Sequence, residues 1–243
     1  MRALIFGKRT AKELLRDPLS LLFGLGFPVA LLVLMWMIQR SIPVALFLPE
    51  QLAPGIAVFG LSFFCLFTAL LVARDRASSL IARLRAAPMT AWDFLLGYLA
   101  PMVPMALAQL AAAYLAALPL GLHATPRIFL AIAVQLPLAV FHIAAGMICG
   151  CCLRERQVGG LCGALATNLS AWLSGAWFDV SLVGGVFAKL AEALPFYQAT
   201  MCGRQALSSG SVDGRRFAIL CAYALLTLAA AVVIAKHRLE RTA

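Results

Sequence analysis

Six long apolar stretches, separated by polar segments, constrain this chain more than any other feature of its sequence. They cover residues 19–38, 54–73, 94–118, 128–152, 158–173 and 217–235. An apolar run of about 18 or more residues can cross the hydrocarbon core of a bilayer as a helix. Only 12% of the residues are charged, whereas a soluble domain carries about 25%. The sequence therefore predicts an all-α integral membrane protein, a single domain over residues 1–243 with six transmembrane helices.

Lysine and arginine divide unequally between the two sides that six crossings define. Fourteen of the 20 lie in the N-terminal segment, in the connections after the second and fourth stretches, and in the C-terminal segment. Cytoplasmic loops carry an excess of these residues, so both termini are predicted to be cytoplasmic in a multi-pass protein of the bacterial inner (plasma) membrane. The net charge of +10 also favours contact with anionic lipid. No nucleic-acid partner is expected, because no soluble basic domain exists to bind one.

Residues 1–17 have the pattern of an amphipathic helix lying on the membrane surface. One predicted face is apolar and the other basic, namely Leu4, Ala11 and Leu15 on the first and Arg9, Lys12 and Arg16 on the second. Arg9 and Glu13 are spaced i,i+4 and can form an ion pair. The helix is predicted to end at Asp17-Pro18, since the residue before proline avoids the helical conformation. A generic membrane anchor is the alternative to a partner-binding helix.

The segment 74–93, between the second and third stretches, is too patterned for a simple linker. A short helix is predicted over residues 76–86, with Arg76 and Arg83 on its polar side, and it ends at Ala87-Pro88. Thr90 and Asp93 have the spacing of a capping box that opens the third stretch. The alternative is a basic loop that is helical without binding a partner.

The sequence has none of the motifs that would let this chain drive transport or catalyse a reaction by itself. It contains no GxxxxGK[ST] loop, no HExxH helix and no GxSxG turn. No acidic residue lies deep in a predicted span, although coupled transporters usually carry ionisable groups there. We therefore predict that the chain is not an enzyme and that a partner supplies the energy.

Two further groups in the apolar stretches invite a chemical interpretation. Cys149, Cys151 and Cys152 lie close together, but they lack paired CxxC spacing and a nearby histidine, so no metal site is predicted. His142 lies in the fourth stretch without an intramembrane carboxylate to exchange protons with. A hydrogen-bonded packing role is therefore favoured over a proton relay.

The order of these segments resembles the permease, or membrane subunit, of ABC-2 type (type-2 ABC) exporters over nearly the whole chain. Lys8–Pro18 resembles the family's cytoplasmic amphipathic helix before the first span. Residues 73–90 resemble its coupling helix, with an acidic residue, a Leu-x-x-Leu pattern and a small-x-Pro ending. Residues 173–177 and 194–197 resemble its outer helices. The resemblance implies re-entrant helices within residues 174–211.

The resemblance implies a complex of two permease chains, either two copies or paralogues, with two separate ABC ATPase subunits. ATP and Mg would bind to the ATPase, and no cofactor to this chain. The substrate would be amphiphilic or hydrophobic, of drug, lipid-linked, peptide or glycan type. ATPase motion would be transmitted through the N-terminal and coupling segments, and the residues expected to carry it are Arg9, Glu13, Arg16, Asp75, Arg76, Ser79, Arg83, Arg85 and Pro88.

The expected substrate pathway lies at the interface of the two permeases. Phe59, Phe63 and Phe67 recur every four residues and form one stripe, and Asn168 and Trp172 lie in the fifth stretch. The alternative is that the stripe packs within the chain or faces lipid. Two other functions remain open, a non-transporting membrane scaffold or assembly factor and an intramembrane lipid-modifying enzyme. An ABC ATPase in the neighbouring reading frame would favour the exporter.

Overall fold

The computed structural model describes residues 2–42, 44–78 and 90–240, and all regular elements in these ranges are helices. The α-helices, in chain order, are α1 (Arg2–Leu15), α2 (Pro18–Leu21), α3 (Phe27–Ser41), α4 (Pro49–Leu61), α5 (Phe63–Ala77), α6 (Ala91–Ala117), α7 (Arg127–Cys152), α8 (Glu155–Val158), α9 (Thr167–Leu173), α10 (Val180–Val183), α11 (Gly185–Ala193), α12 (Pro195–Ser209) and α13 (Gly214–Glu240). Two π-helical segments, Leu22–Gly26 and Gly159–Ala166, each connect a pair of these helices without a break.

Five helical segments of the described ranges are long and apolar enough to cross a membrane. We call them spans 1, 2, 3, 4 and 6: Pro18–Ser41, Pro49–Ala77, Trp92–Leu120, Arg127–Cys152 and Gly214–His237. Each overlaps a predicted stretch, and the largest difference at any end is five residues, at Pro49. The chain is thus an all-helical, multi-pass membrane protein.

The fifth predicted stretch lies within a helical segment that is not among these five spans. The segment Glu155–Leu173, which we call segment 5, consists of α8, a π-helical portion and α9. At 1.5 Å per residue it extends about 28 Å, close to the roughly 30 Å thickness of a bilayer core. A sixth crossing stays a prediction.

Span 2 lies at the centre of the bundle. Its most apolar window is 89% buried, against 17% for spans 1 and 6. Gly146 and Gly150 of span 4 allow a close approach, because an added Cβ would lie 2.5 Å from the Cys65 carbonyl oxygen and 2.8 Å from that of Ala69. Small residues spaced by four positions are typical of helix contacts in membranes. Span 2 is therefore held by neighbours along most of its length.

Buried amides connect the spans where no water is present to satisfy them. Gln135 of span 4 donates through Nε2 to the Pro54 carbonyl oxygen of span 2 at 3.0 Å. Its Oε1 accepts a 3.0 Å hydrogen bond from the Tyr114 hydroxyl of span 3. A polar group in hydrocarbon is costly unless it is bonded within the protein. These bonds fix the relative positions of three spans.

Residues 174–211 form the helices α10, α11 and α12. Arg204 of α12 donates through Nε to the Gln51 carbonyl oxygen at 3.0 Å and through Nη2 to that of Gly175 at 2.9 Å. These bonds hold α12 against the start of span 2. The helical content agrees with the sequence analysis, while a re-entrant path into the bilayer stays a prediction.

The polar segments gather at the two ends of the bundle. At one end, which we call the basic end, α1, the end of span 2, the start of span 3 and the connection from span 4 to segment 5 meet through side-chain bonds. At the opposite end, Arg127 donates to the Ser208 carbonyl oxygen at 2.6 Å. The elements that meet at the basic end belong to the same set of segments that carries most of the lysine and arginine residues in the sequence. Which end is cytoplasmic stays a prediction.

Candidate functional site

Helix α1 lies against the start of span 3 with one face buried. Phe6, Thr10 and Leu14 recur at four-residue spacing and are all buried, as an amphipathic helix requires. The predicted apolar face was therefore wrong, since its Leu15 is 62% exposed. The Phe6 ring packs edge-on against the Tyr98 ring, with 5.1 Å between centroids. Gly97 makes room for this ring, because an added Cβ there would overlap Phe6. The basic helix is therefore packed onto the bundle along its length.

A tight turn connects α1 to span 1 at Asp17-Pro18, as predicted. The Asp17 carboxylate accepts hydrogen bonds from the backbone N–H of Leu19 at 3.1 Å and from the Ser20 hydroxyl at 2.8 Å. These bonds cap the first turn of the span, whose backbone donors would otherwise lack partners. The position of α1 is thus linked to that of span 1.

A buried carboxylate at the end of span 2 connects α1 to span 3. Asp75 accepts two hydrogen bonds from the Arg9 guanidinium, from Nη1 at 3.0 Å and from Nη2 at 2.8 Å. The Tyr98 hydroxyl of span 3 donates to the same carboxylate at 2.6 Å. Arg9 also pairs with Glu13 at 2.8 Å, which confirms the predicted i,i+4 ion pair. We call Arg9, Asp75 and Tyr98 the clamp.

The clamp satisfies a charge that would be costly alone. Asp75 is only 2% exposed, and an unpaired buried carboxylate carries a large desolvation cost. The two parallel guanidinium bonds form the bidentate geometry that is strongest between arginine and a carboxylate. The hydrogen bond to Asp75 also raises the pKa of Arg9 above its usual value. Arg9 therefore keeps its charge, and the clamp holds three elements at fixed distances.

The two arginines beside Asp75 reach the connection between span 4 and segment 5. Arg74 Nε pairs with Glu155 Oε1 at 2.8 Å. Arg76 Nη1 donates to the Gly150 carbonyl oxygen at 2.7 Å and to that of Leu153 at 3.1 Å. These carbonyls lie at the end of α7, where helix carbonyls lack partners in their own helix and attract cations. The end of span 2 is therefore bonded to four other parts of the bundle.

The predicted coupling residues divide between described and undescribed parts of the chain. Arg9, Glu13, Asp75 and Arg76 come together at the basic end, as the contacts above show. Arg16 lies on a concave surface beside α1 that also includes Lys8, Lys12 and Asp17. The predicted positions Ser79, Arg83, Arg85 and Pro88 lie outside the described residues. The capping box of Thr90 and Asp93, just after them, forms as predicted.

The phenylalanine stripe of span 2 shares one face but is covered by span 1. Phe59, Phe63 and Phe67 are 4–7% exposed. The Phe27 ring of span 1 lies 6.2 Å from Phe59 and 5.8 Å from Phe63, and the Phe23 ring lies 5.9 Å from Phe63. In this structure the stripe packs within the chain, which is the alternative that the sequence left open. A role in a substrate pathway stays a prediction.

Asn168 and Trp172, the other predicted pathway residues, lie on the uncovered face of segment 5. Both side chains are exposed, and Leu161, Leu165 and Leu169 share this exposure. Asn168 Nδ2 donates to the Ala164 carbonyl oxygen of its own helix at 2.7 Å. The amide is therefore satisfied locally and does not hold segment 5 to another part of the described chain.

Tyr98 was missed by the sequence analysis, whereas His142 was considered there. Tyr98 completes the clamp but was not predicted, because a tyrosine in an apolar run carries no periodic signal. Its place five residues after Asp93 of the capping box was the signal available in the sequence. His142 is buried, with its ring 5.6 Å from that of Phe196 and 5.3 Å from that of Phe141. These aromatic contacts favour the packing role, but the predicted hydrogen bond is not found at Nε2, which is buried without a hydrogen-bond partner among the described residues.

Comparison with known proteins gives one match and one negative result. The family described as ABC-2 type transporter matches residues 2–207. This range includes α1, spans 1 to 4, segment 5 and most of α12. A comparison with curated proteins finds no match. The matched range contains every residue of the clamp.

Proposed function

Because the chain belongs to the ABC-2 type transporter family and is a permease subunit of an ABC transporter, we propose that a separate ATPase drives it through the basic end. Two permease chains, identical or paralogous, would pair with two ATPase subunits that bind ATP and Mg. Their substrate would be amphiphilic or hydrophobic. The basic end would face the cytoplasm, where ATP is available. The clamp is the observation that carries this proposal.

The clamp connects α1, span 2 and span 3, so that these elements would move together. The segment 79–89 follows span 2 in the sequence, after Ser78, whose backbone is extended. Asp75 is bonded to α1 and span 3, while Arg74 and Arg76 are bonded to the connection before segment 5. A displacement of residues 79–89 by an ATPase would therefore move α1, spans 2 and 3 and the start of segment 5 together.

The charge at this end suits a protein partner with an acidic groove. Lys8, Arg9, Lys12 and Arg16 line the concave surface beside α1, and Arg83 and Arg85 follow in the coupling segment. Opposite charges on a partner would speed association and fix orientation. An amphipathic helix presented to a groove is a recurring binding mode. The basic end thus supplies both the contact and the connection to the spans.

The substrate pathway is proposed along the uncovered face of segment 5. Asn168 and Trp172 are exposed there among leucines, and an apolar surface with few polar groups suits an amphiphilic ligand. A second permease copy would cover the same face. The stripe at Phe59, Phe63 and Phe67 could join this pathway only if span 1 moved away from span 2, because Phe23 and Phe27 cover it.

Co-purification of the chain with the product of a neighbouring ATPase reading frame tests the proposal. We expect a complex that hydrolyses ATP and whose rate rises with a transported amphiphile in proteoliposomes. Arg83→Glu with Arg85→Glu should abolish this stimulation or dissociate the ATPase, while the permease still inserts. Lys189→Glu with Arg215→Glu makes the same charge change at exposed positions outside the basic end and should leave the complex active.

The outcomes also separate the other candidate functions. A chain that purifies without any ATPase and assembles with other membrane proteins would support the scaffold. Turnover of lipid by the purified chain alone would support an intramembrane enzyme. Normal stimulation in the Arg83→Glu/Arg85→Glu variant would exclude the coupling role of that segment.

A further inference from the structure

Three cysteines from three different helices meet inside the bundle. Cys65 lies in span 2, Cys149 in span 4 and Cys162 in segment 5, and their sulfur atoms all lie within 4.8 Å of one another. This trio differs from the sequence neighbours Cys149, Cys151 and Cys152. Cys65 and Cys162 are buried and Cys149 is partly exposed. We propose that the trio is a binding site for a thiophilic trivalent metalloid of the arsenite type.

The spacing of the sulfur atoms fits three bonds to one ion. Two thiolates bound to the same ion at about 2.3 Å are at most about 4.6 Å apart, and about 4.0 Å apart in a trigonal arrangement. The present limit of 4.8 Å needs side-chain shifts of less than about 1 Å to reach this geometry. Three convergent thiols select soft ions over hard ones.

Segment 5 is built in a way that brings Cys162 to this position. Residues Gly159–Ala166 form a π-helix, a local widening that is frequent at functional sites because it redirects side chains. Cys149 is partly exposed and gives access to the trio.

The surroundings of the trio decide which soft ion fits. The hydrophobic side chains packed around it include Leu66, Leu70, Ala145, Leu153 and Ala166. A net charge in such surroundings is costly. Three thiolates leave a charge of −2 on a monovalent ion and −1 on a divalent ion, but none on a trivalent ion. An apolar pocket with three thiols therefore favours a trivalent ion.

The binding reaction is balanced without an oxidant or a reductant. Arsenous acid carries three As–O bonds to hydroxyl groups. Each thiol replaces one of them, so that an As–S bond forms, an As–O bond breaks, and the thiol proton leaves with the hydroxyl as water. Three waters are released and arsenic stays trivalent. The product joins span 2, span 4 and segment 5 covalently.

Sodium arsenite added to the purified, fully reduced chain tests this site. We expect one arsenic per chain to remain after desalting, with X-ray absorption at the arsenic edge showing three sulfur ligands. Zinc chloride under the same conditions should be retained less, because its tris-thiolate is charged. The measurement needs no ATPase, so its result is independent of the proposed transport function.

Single variants locate the site. Cys65→Ala, Cys149→Ala and Cys162→Ala should each lose the retained arsenic. Cys202→Ala is the matched control, since Cys202 is a buried cysteine of another helix, and it should retain arsenic as the wild type does. The proposal is overturned if the wild type keeps no arsenic or shows fewer than three sulfur ligands. It is also overturned if zinc is retained more strongly, or if Cys202→Ala loses as much as the trio variants.

Discussion

The clamp predicts a measurable release of α1 when Arg9 is replaced by alanine. In Arg9→Ala, Asp75 keeps the hydrogen bond from Tyr98 but loses both guanidinium bonds and its cation. Removing one partner of a buried ion pair costs about 3–5 kcal/mol. The Arg9 side chain is 40% exposed, so solvent screens part of the interaction and we expect a cost of about 2–3 kcal/mol.

A tenfold change in population corresponds to about 1.4 kcal/mol. The cost of Arg9→Ala therefore makes chains with a detached α1 about 30 to 150 times more frequent. Trypsin cuts after Lys12 once α1 is released, and the rate of cleavage follows that population when opening and closing are fast.

Glu13→Ala is the matched control. It removes only the exposed i,i+4 pair with Arg9, worth about 0.3–0.5 kcal/mol, so cleavage should rise about twofold. Equal cleavage of Arg9→Ala and Glu13→Ala would refute the clamp.

Three further predictions concern the packing of α1, the orientation of the chain in the membrane and the substrate pathway. Gly97→Ala should push Phe6 out of its place at a cost of about 1–3 kcal/mol and increase tryptic cleavage after Lys12, whereas Gly159→Ala, which has open space, should not. A single cysteine at position 83, in a chain without its native cysteines, should react with a membrane-impermeant maleimide from the cytoplasmic side. Cysteines at position 63 of two copies should crosslink only in a nucleotide state that moves span 1 away from span 2, and Phe63→Ala should then change substrate selectivity.

Each of these predictions has a result that would count against it. Unchanged cleavage of Gly97→Ala would mean that α1 does not rest on span 3 as described. Labelling of position 83 only from outside the cell would reverse the assigned orientation. If position 63 never crosslinks and Phe63→Ala keeps the wild-type selectivity, the stripe only packs against Phe23 and Phe27 and the pathway lies elsewhere.

The sequence predicted the spans well because hydrophobic length is a local property. Pro18–Ser41 and Arg127–Cys152 differ from their predicted stretches by three residues or fewer at each end. The helix end before Pro18 and the capping box of Thr90 were also local signals, and both formed as predicted. Segment 5 is harder to predict, because its glycines and π-helical portion weaken the signal of a regular span.

Contacts between distant residues could not be predicted in the same way. The resemblance indicated Arg9 and Asp75 as coupling residues, but not that they bind each other across 66 positions or that Tyr98 joins them. Likewise, the cysteine spacing directed attention to neighbours in sequence, whereas the trio is formed by helix packing. Both arrangements depend on which helix faces meet, and a single sequence does not specify this.

Photo-crosslinking from position 83 in native membranes tests the central claim most directly, namely that a separate ATPase contacts this permease at its basic end. A photoreactive residue at position 83 should capture an ATP-binding protein, and the yield should change when ATP is added. The same residue at position 189, exposed on α11 away from the basic end, should capture none. Capture of the ATPase from position 189, or capture at position 83 of only proteins that do not bind ATP, would contradict the account.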